Sequence, residues 1–147
     1  SYMNVGIQTG QSSSSGKELI ADTGFKLTSN YWESGDGWSF GGNAAINTGG
    51  FTGYISPIGG GLIEPLSIDN NVTFSFTISN LGGGNTARLG LYNTNIEAIS
   101  GYQDYTANGT YSVTFDYTGI RMANVRIYVF STSDSFSLED VSLIKNS

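Results

Sequence analysis

The carboxylates that could take part in acid–base chemistry are Glu33, Asp36, Glu64, Asp104 and Asp116. Glycoside hydrolysis needs two carboxyl groups flanking one bond, with the pKa of one of them raised. No spacing in the chain brackets such a pair. Glu33 and Asp36 lie in "WESGDGW", a glycine-rich loop where acids are ordinarily solvated or turn-forming. Asp116 falls on the outward parity of a strand. The chain contains neither His nor Cys, which removes Ser-His-Asp and Cys-His catalysis, disulfides and thiolate zinc sites. No acid cluster has the spacing of an all-carboxylate metal centre. "LGGGNTARLG" lacks the Lys-Ser/Thr ending of a phosphate loop. The residues therefore point away from an enzyme.

They point more readily to sugar recognition, in which aromatic rings stack on the C–H faces of pyranoses and Asn, Gln, Asp, Glu or Arg bond the hydroxyls. Arg88, Tyr92, Arg126, Tyr128 and Phe130 hold outward positions on strands whose other face is apolar. Apolar bulk on an outward face means either a ligand or a covering loop, arm or neighbour. A second group is Tyr31, Trp32, Tyr102 and Tyr105. Tyr102 and Tyr105 flank Gln103 and Asp104, a polar–aromatic mixture suited to hydroxyls. The competing reading is that these tyrosines roof the ends of the core. The tryptophans divide: Trp38 shares parity with Phe40 and leads into "NAAIN", which predicts a buried anchor. Trp32 precedes the polar "ESGDG" loop, which predicts an exposed ring.

The elements that must position these residues are strands. Val72, Phe74, Phe76 and Ile78 alternate with Thr73, Ser75 and Thr77. The same period of two runs through "TARLGLY", "TYSVTFDY" and "NVRIYVF". Turn signals separate them, among them "LGGGN" and Asn108-Gly109. Shorter strands are expected at Phe25–Thr28, Trp38–Phe40, Ala44–Asn47, Gly53–Ser56 and Glu64–Ile68. "NIEAISGYQDY" could carry a helical turn ended by Gly101. In the last strand, Phe136–Ile144, Phe136 and Leu138 have one parity and Val141 and Leu143 the other, so a bulge is expected at Glu139-Asp140. Residues 1–16, with the run "SSSS", read as a flexible arm or linker; its "MNVGI" could add a strand to a neighbour. Residues 17–147 make one all-β domain, a two-sheet antiparallel β-sandwich.

Bulk properties agree. A chain of 147 residues suits one domain, which buries about 70% of its unfolded surface. Twelve acids against six bases give a net charge of −6, so nucleic acid and anionic membrane surfaces are disfavoured as partners. No apolar run approaches the ~20 residues of a membrane span, and no signal peptide is visible. A chain beginning at Ser1 reads as a processed form or an excised module.

The stretches "ELIADTGFKL", "GWSFGGNAAI", "ANGTYSVTFDYTG", "VRIYVFST" and "SFSLEDVSLIKNS" together resemble the carbohydrate-binding-module-like, galactose-binding-like jelly rolls. Such modules occur on glycoside hydrolases and on phage tail-fibre and virion surface proteins. The resemblance covers roughly Glu18 to Asn146. It implies a jelly roll, no catalysis and a glycan ligand. It also implies a structural calcium, with Asp140 at the matching terminal position and Asp22 or Glu18 supplying further oxygens. Calcium takes roughly six to eight oxygens, so carbonyls would have to complete the shell. This chain departs from the family where an acid usually follows the Phe: Lys26 stands there. The plainer alternative is that Asp140 caps the bulge through backbone amides.

The expectation is a non-catalytic surface module that binds a glycan or polysaccharide and is displayed on a phage virion, as tail fibre or capsid decoration. Two alternatives stand beside it: a purely structural virion decoration protein, and an accessory module of a secreted polysaccharide-degrading enzyme. The first two place the chain on a virion surface, among virion neighbours or as a homo-oligomer. The third places it outside the cell.

Overall fold

The computed structural model describes residues 16–119, 122–130 and 134–147. The expected arm lies outside the described residues except for Gly16. In chain order the elements are β1 (Lys17–Glu18), α1 (Thr28–Tyr31), β2 (Trp32–Ser34), β3 (Trp38–Gly41), β4 (Ala44–Asn47), β5 (Gly53–Pro57), β6 (Asn71–Ser79), β7 (Ala87–Tyr92), β8 (Ala98–Tyr105), β9 (Gly109–Asp116), β10 (Arg126–Val129) and β11 (Phe136–Lys145).

Two antiparallel sheets form a sandwich. One is six-stranded, in the order β9-β6-β11-β4-β3 with β1 also on β11; the other is five-stranded, in the order β2-β5-β10-β7-β8. The period-two segments form as their patterns require. Val72, Phe74, Phe76 and Ile78 of β6 are all buried, and Thr73, Ser75 and Thr77 face out against β9. Leu89 and Leu91 of β7 and Ile127 and Val129 of β10 meet them from the opposite sheet in one core.

The last strand is bulged as its parity demands. Its pairing with β6 shifts between Glu139 and Ser142, and Asp140 sits at φ +50°. The added residue turns Val141 and Leu143 to the side already held by Phe136 and Leu138, so all four reach the core. Trp38 is buried, with an edge-on contact to Phe136 at 5.8 Å between ring centroids.

Other local expectations are corrected. Residues 25–28 are not a strand: Phe25 adopts φ +52° in a tight turn, and the one-turn helix α1 follows. Residues 64–68 form only an isolated bridge, Leu66 to Ala123. The segment expected to carry a helical turn is the edge strand β8, with Gly101 at φ +71° beside a register shift.

Trp32 is the largest correction. It is 4% exposed rather than a loop ring. Its indole packs on Phe25 at 4.8 Å, and its Nε1–H donates to the carbonyl of Asp22 at 3.0 Å. Asp22, itself buried, accepts the backbone N–H groups of Lys26 (2.9 Å) and Leu27 (2.8 Å) on its two carboxylate oxygens. That clasp shapes the turn that drives Phe25 inward, so Phe25 and Trp32 are buried together.

Candidate functional site

The outer face of the five-stranded sheet carries the aromatic surplus. Register places Tyr54, Tyr128, Gly90 and Tyr102 side by side across β5, β10, β7 and β8. Tyr92 lies opposite Arg126, and Phe130 continues the ladder past β10 by donating its N–H to the Arg88 carbonyl. The rings form one unbroken run: Tyr54–Tyr128 at 5.2 Å, Tyr128–Tyr92 at 5.7 Å, Tyr92–Phe130 at 5.6 Å and Phe130–Tyr102 at 5.0 Å. These tilted and edge-on contacts are the arrangements aromatic quadrupoles favour. Gly90 leaves the middle of the row without a side chain. A Cβ there would run into the backbone of Gly101, so the close approach of β7 and β8 requires glycine.

Tyr128 is only 5% exposed yet lies outside the core cluster, buried by its neighbours on the outer face. Tyr102 keeps 48% of its surface open. Desolvation of Tyr92 raises its pKa, with a smaller contribution from Tyr102.

An arginine stands at each end of the run. Arg88 lies 5.2 Å from the Tyr102 centroid and holds Asp104 through two bonds, Nε–Oδ1 at 2.6 Å and Nη2–Oδ2 at 2.9 Å. The guanidinium holds the Asp104 carboxyl below its ordinary range, and the carboxylate raises Arg88. Arg126 stacks on Tyr54 at 4.1 Å. Its Nη1 donates to the Tyr128 hydroxyl (3.1 Å) and the Thr94 carbonyl (3.4 Å). Beside it lies a cleft of about 330 Å³ lined by Glu33, Ser56, Thr94, Asn124 and Arg126 among others. Through Thr94 and Asn124 this cleft meets a larger one, of about 530 Å³, at the end of the sandwich.

The structure thus brings together Arg88, Tyr92, Tyr102, Arg126 and Tyr128 and adds Tyr54, whose outward parity beside the inward Ile55 was a readable signal. It separates the others. Tyr105 lies opposite the buried Ala87 and points to the core end, edge-on to Phe76 at 5.2 Å and 4.7 Å from Tyr111. Burial raises its pKa. Tyr31 is half-buried against the core.

The carboxylates considered for catalysis do not converge. Glu64 is bonded by Lys17 (2.5 Å) and Lys145 (2.8 Å), Asp104 by Arg88, and Asp116 by Asn71 (2.8 Å). Glu33 and Asp36 are exposed.

The side chains expected to supply calcium oxygens are hydrogen-bonded within the protein or exposed. Glu18 accepts from Ser142 Oγ (2.5 Å) and from the backbone N–H groups of Leu143 (2.8 Å) and Ile20 (3.2 Å). Asp22 is committed to the turn described above, and Asp140 is exposed. Among the described residues, no group of three or more acidic side chains is placed to hold a metal ion.

No protein-family model matches the chain, and no curated protein matches it. Solved structures do. The second N-terminal cellulose-binding domain of Cellulomonas fimi β-1,4-glucanase C superposes with a TM-score of 0.60 at 15% identity, covering 91% of this chain and 97% of that one. This chain shares the fold of that domain. The CBM22-1 xylan-binding domain of Paenibacillus barcinonensis Xyn10C gives 0.59 at 11% identity, covering 92% and 99%. The C-terminal CBM6 of LamC, a laminarinase of Zobellia galactanivorans, gives 0.56 at 13% identity, covering 89% and 99%. At these identities the likeness is one of fold, and the jelly-roll expectation stands confirmed.

Proposed function

We propose that the chain is a non-catalytic carbohydrate-binding module, and that the outer face of the five-stranded sheet binds a polysaccharide. The observation that carries this is the run of rings from Tyr54 to Tyr102, bounded at each end by an arginine. Tyr102 and the partly exposed Tyr54, Tyr92 and Phe130 supply C–H stacking surface, packed around the buried Tyr128. Arg88, Asp104, Arg126 and Glu33 supply donors and acceptors for hydroxyls at the margins. A run several rings long suits successive sugar units better than a single monosaccharide. The calcium expectation plays no part in this reading.

The fold neighbours favour one setting over the others. They come from a glucanase, a laminarinase and a xylan-binding protein, which supports an extracellular accessory module of a polysaccharide-degrading enzyme rather than a virion-surface module. The charge of −6 on the chain fits a hydroxyl-bearing partner better than a polyphosphate. Affinity electrophoresis on gels containing xylan, β-glucan or laminarin tests the proposal. Retardation by at least one polymer, relieved in Tyr102→Ala, is expected. Free migration on every polymer tried would overturn it.

A further inference from the structure

The two arginines of the ring run are not equivalent. Arg88 offers its Nε–Nη2 edge to Asp104, the two-pronged geometry in which guanidinium and carboxylate match best. Arg126 uses only Nη1, on a hydroxyl and a carbonyl. Its Nε is sealed from solvent and has no acceptor among the described residues. The described ion pairs join Lys17, Lys145 and Arg88 to carboxylates and leave Arg126 out. A half-buried guanidinium stacked on a ring, with no carboxylate in ion-pair contact among the described residues, loses hydration without recovering it from a bonded anion. Yet this side chain lines an open cleft. Among the described residues this charge is therefore left outside any ion pair, at one end of a surface suited to sugars.

We infer that the Arg126 end of the face receives the carboxylate of an acidic sugar, a uronate unit in or on the bound polysaccharide. The inference rests on the glycan-binding reading and adds the ligand's charge. The carboxylate would reach Arg126 from the cleft through the terminal guanidinium nitrogens, since Nε is sealed from solvent. Neutral hydroxyls can accept from Arg126 but leave its charge uncompensated; a carboxylate does both. Glu33, exposed and on the same cleft, is placed to accept from ring hydroxyls of the same unit. The net negative charge of the protein opposes an acidic polymer at long range, but that repulsion is screened within about 8 Å at physiological salt.

The test uses glucuronoxylan and polygalacturonate, each before and after chemical reduction of its carboxylates to hydroxymethyl groups, with a neutral β-glucan alongside. Calorimetry should show at least one uronate polymer losing about tenfold in affinity on reduction, the scale of one charge-assisted bond. Arg126→Gln should bind native and reduced polymers alike, and Arg126→Lys should retain part of the difference. Equal affinity of the wild-type protein for native and reduced polymers would overturn the inference while leaving glycan binding intact. So would binding to the neutral glucan alone. Failure to bind any of the polymers would remove the glycan-binding reading along with it. The wild-type comparison decides the matter even if Arg126→Gln fails to fold.

Discussion

The indole N–H of Trp32 donates to the backbone carbonyl of Asp22 at 3.0 Å, while the Asp22 carboxylate gathers the amides of Lys26 and Leu27. One acidic residue thus shapes a turn with its side chain and anchors a buried ring with its main chain. Trp32→Ala should therefore cost about 3–5 kcal/mol, the range for truncating a buried aromatic. Trp38→Ala should cost a similar amount. Trp32→Phe should fall between wild type and Trp32→Ala, keeping the contact to Phe25 and losing the hydrogen bond. Urea unfolding monitored by circular dichroism measures all three, and a stable Trp32→Ala would show that the Asp22 turn does not depend on the indole.

Removing the Asp22 side chain leaves two backbone donors without their acceptors. Asp22→Ala should lose about 1–3 kcal/mol, and Asp22→Asn less, since one carboxamide oxygen can still accept. Because Asp22 and Glu18 hold backbone N–H groups, chelation with EDTA should leave the melting temperature of the wild-type protein unchanged. A rise of several degrees on adding calcium would restore a metal role to Asp22, Glu18 and Asp140.

What could be read in advance followed from periodicity. β6, β7, β9 and β10 announce themselves by alternation, and the β11 bulge by its change of parity between Leu138 and Val141. The outward positions of Arg88, Tyr92, Arg126 and Tyr128 come from the same rule, so most of the candidate face was legible before the fold was known. Phe25 and Trp32 were not, because their burial depends on a positive φ, on the Asp22 clasp of the Lys26 and Leu27 amides, and on an indole bond reaching ten residues back to the Asp22 carbonyl. No periodicity records any of these. Tyr102 and Tyr105 read as one pair because they are close in sequence. An odd separation on a strand sends them to opposite faces.

Glu64 ties β1 to β11 by accepting from Lys17 and Lys145. Hydrogen bonds from Lys145 and then Lys17 lower its pKa from 4.5 to about 2. The folded value lies below the unfolded one, so the pair's stabilisation is complete above pH 4.5 and is lost as pH falls through about 2. Wild type should therefore be more stable than Glu64→Gln at pH 7, and the two melting curves should approach each other on acidification across that window. Molar salt should narrow the gap at neutral pH, since the site is partly exposed. A gap independent of pH from 7 to 2 would show that the lysines contribute nothing through charge.

Tyr102 and Tyr105 belong to one strand and face opposite ways, which makes them a matched pair for separating binding from folding. Tyr102, 48% exposed, packs on Phe130 and beneath Arg88 at the end of the ring run. Tyr105 is half-buried against Phe76 and Tyr111. Tyr102→Ala should lower polysaccharide affinity by up to about tenfold, the scale of one aromatic contact of roughly 0.5–1.5 kcal/mol, with little change in melting temperature. Tyr105→Ala should lower the melting temperature by several degrees and leave the affinity of the folded fraction unchanged. Calorimetric titration and thermal unfolding of both variants give the four numbers needed. If Tyr105→Ala weakened binding more than Tyr102→Ala, the binding surface would lie at the core end of β8 rather than on the outer face of the sheet.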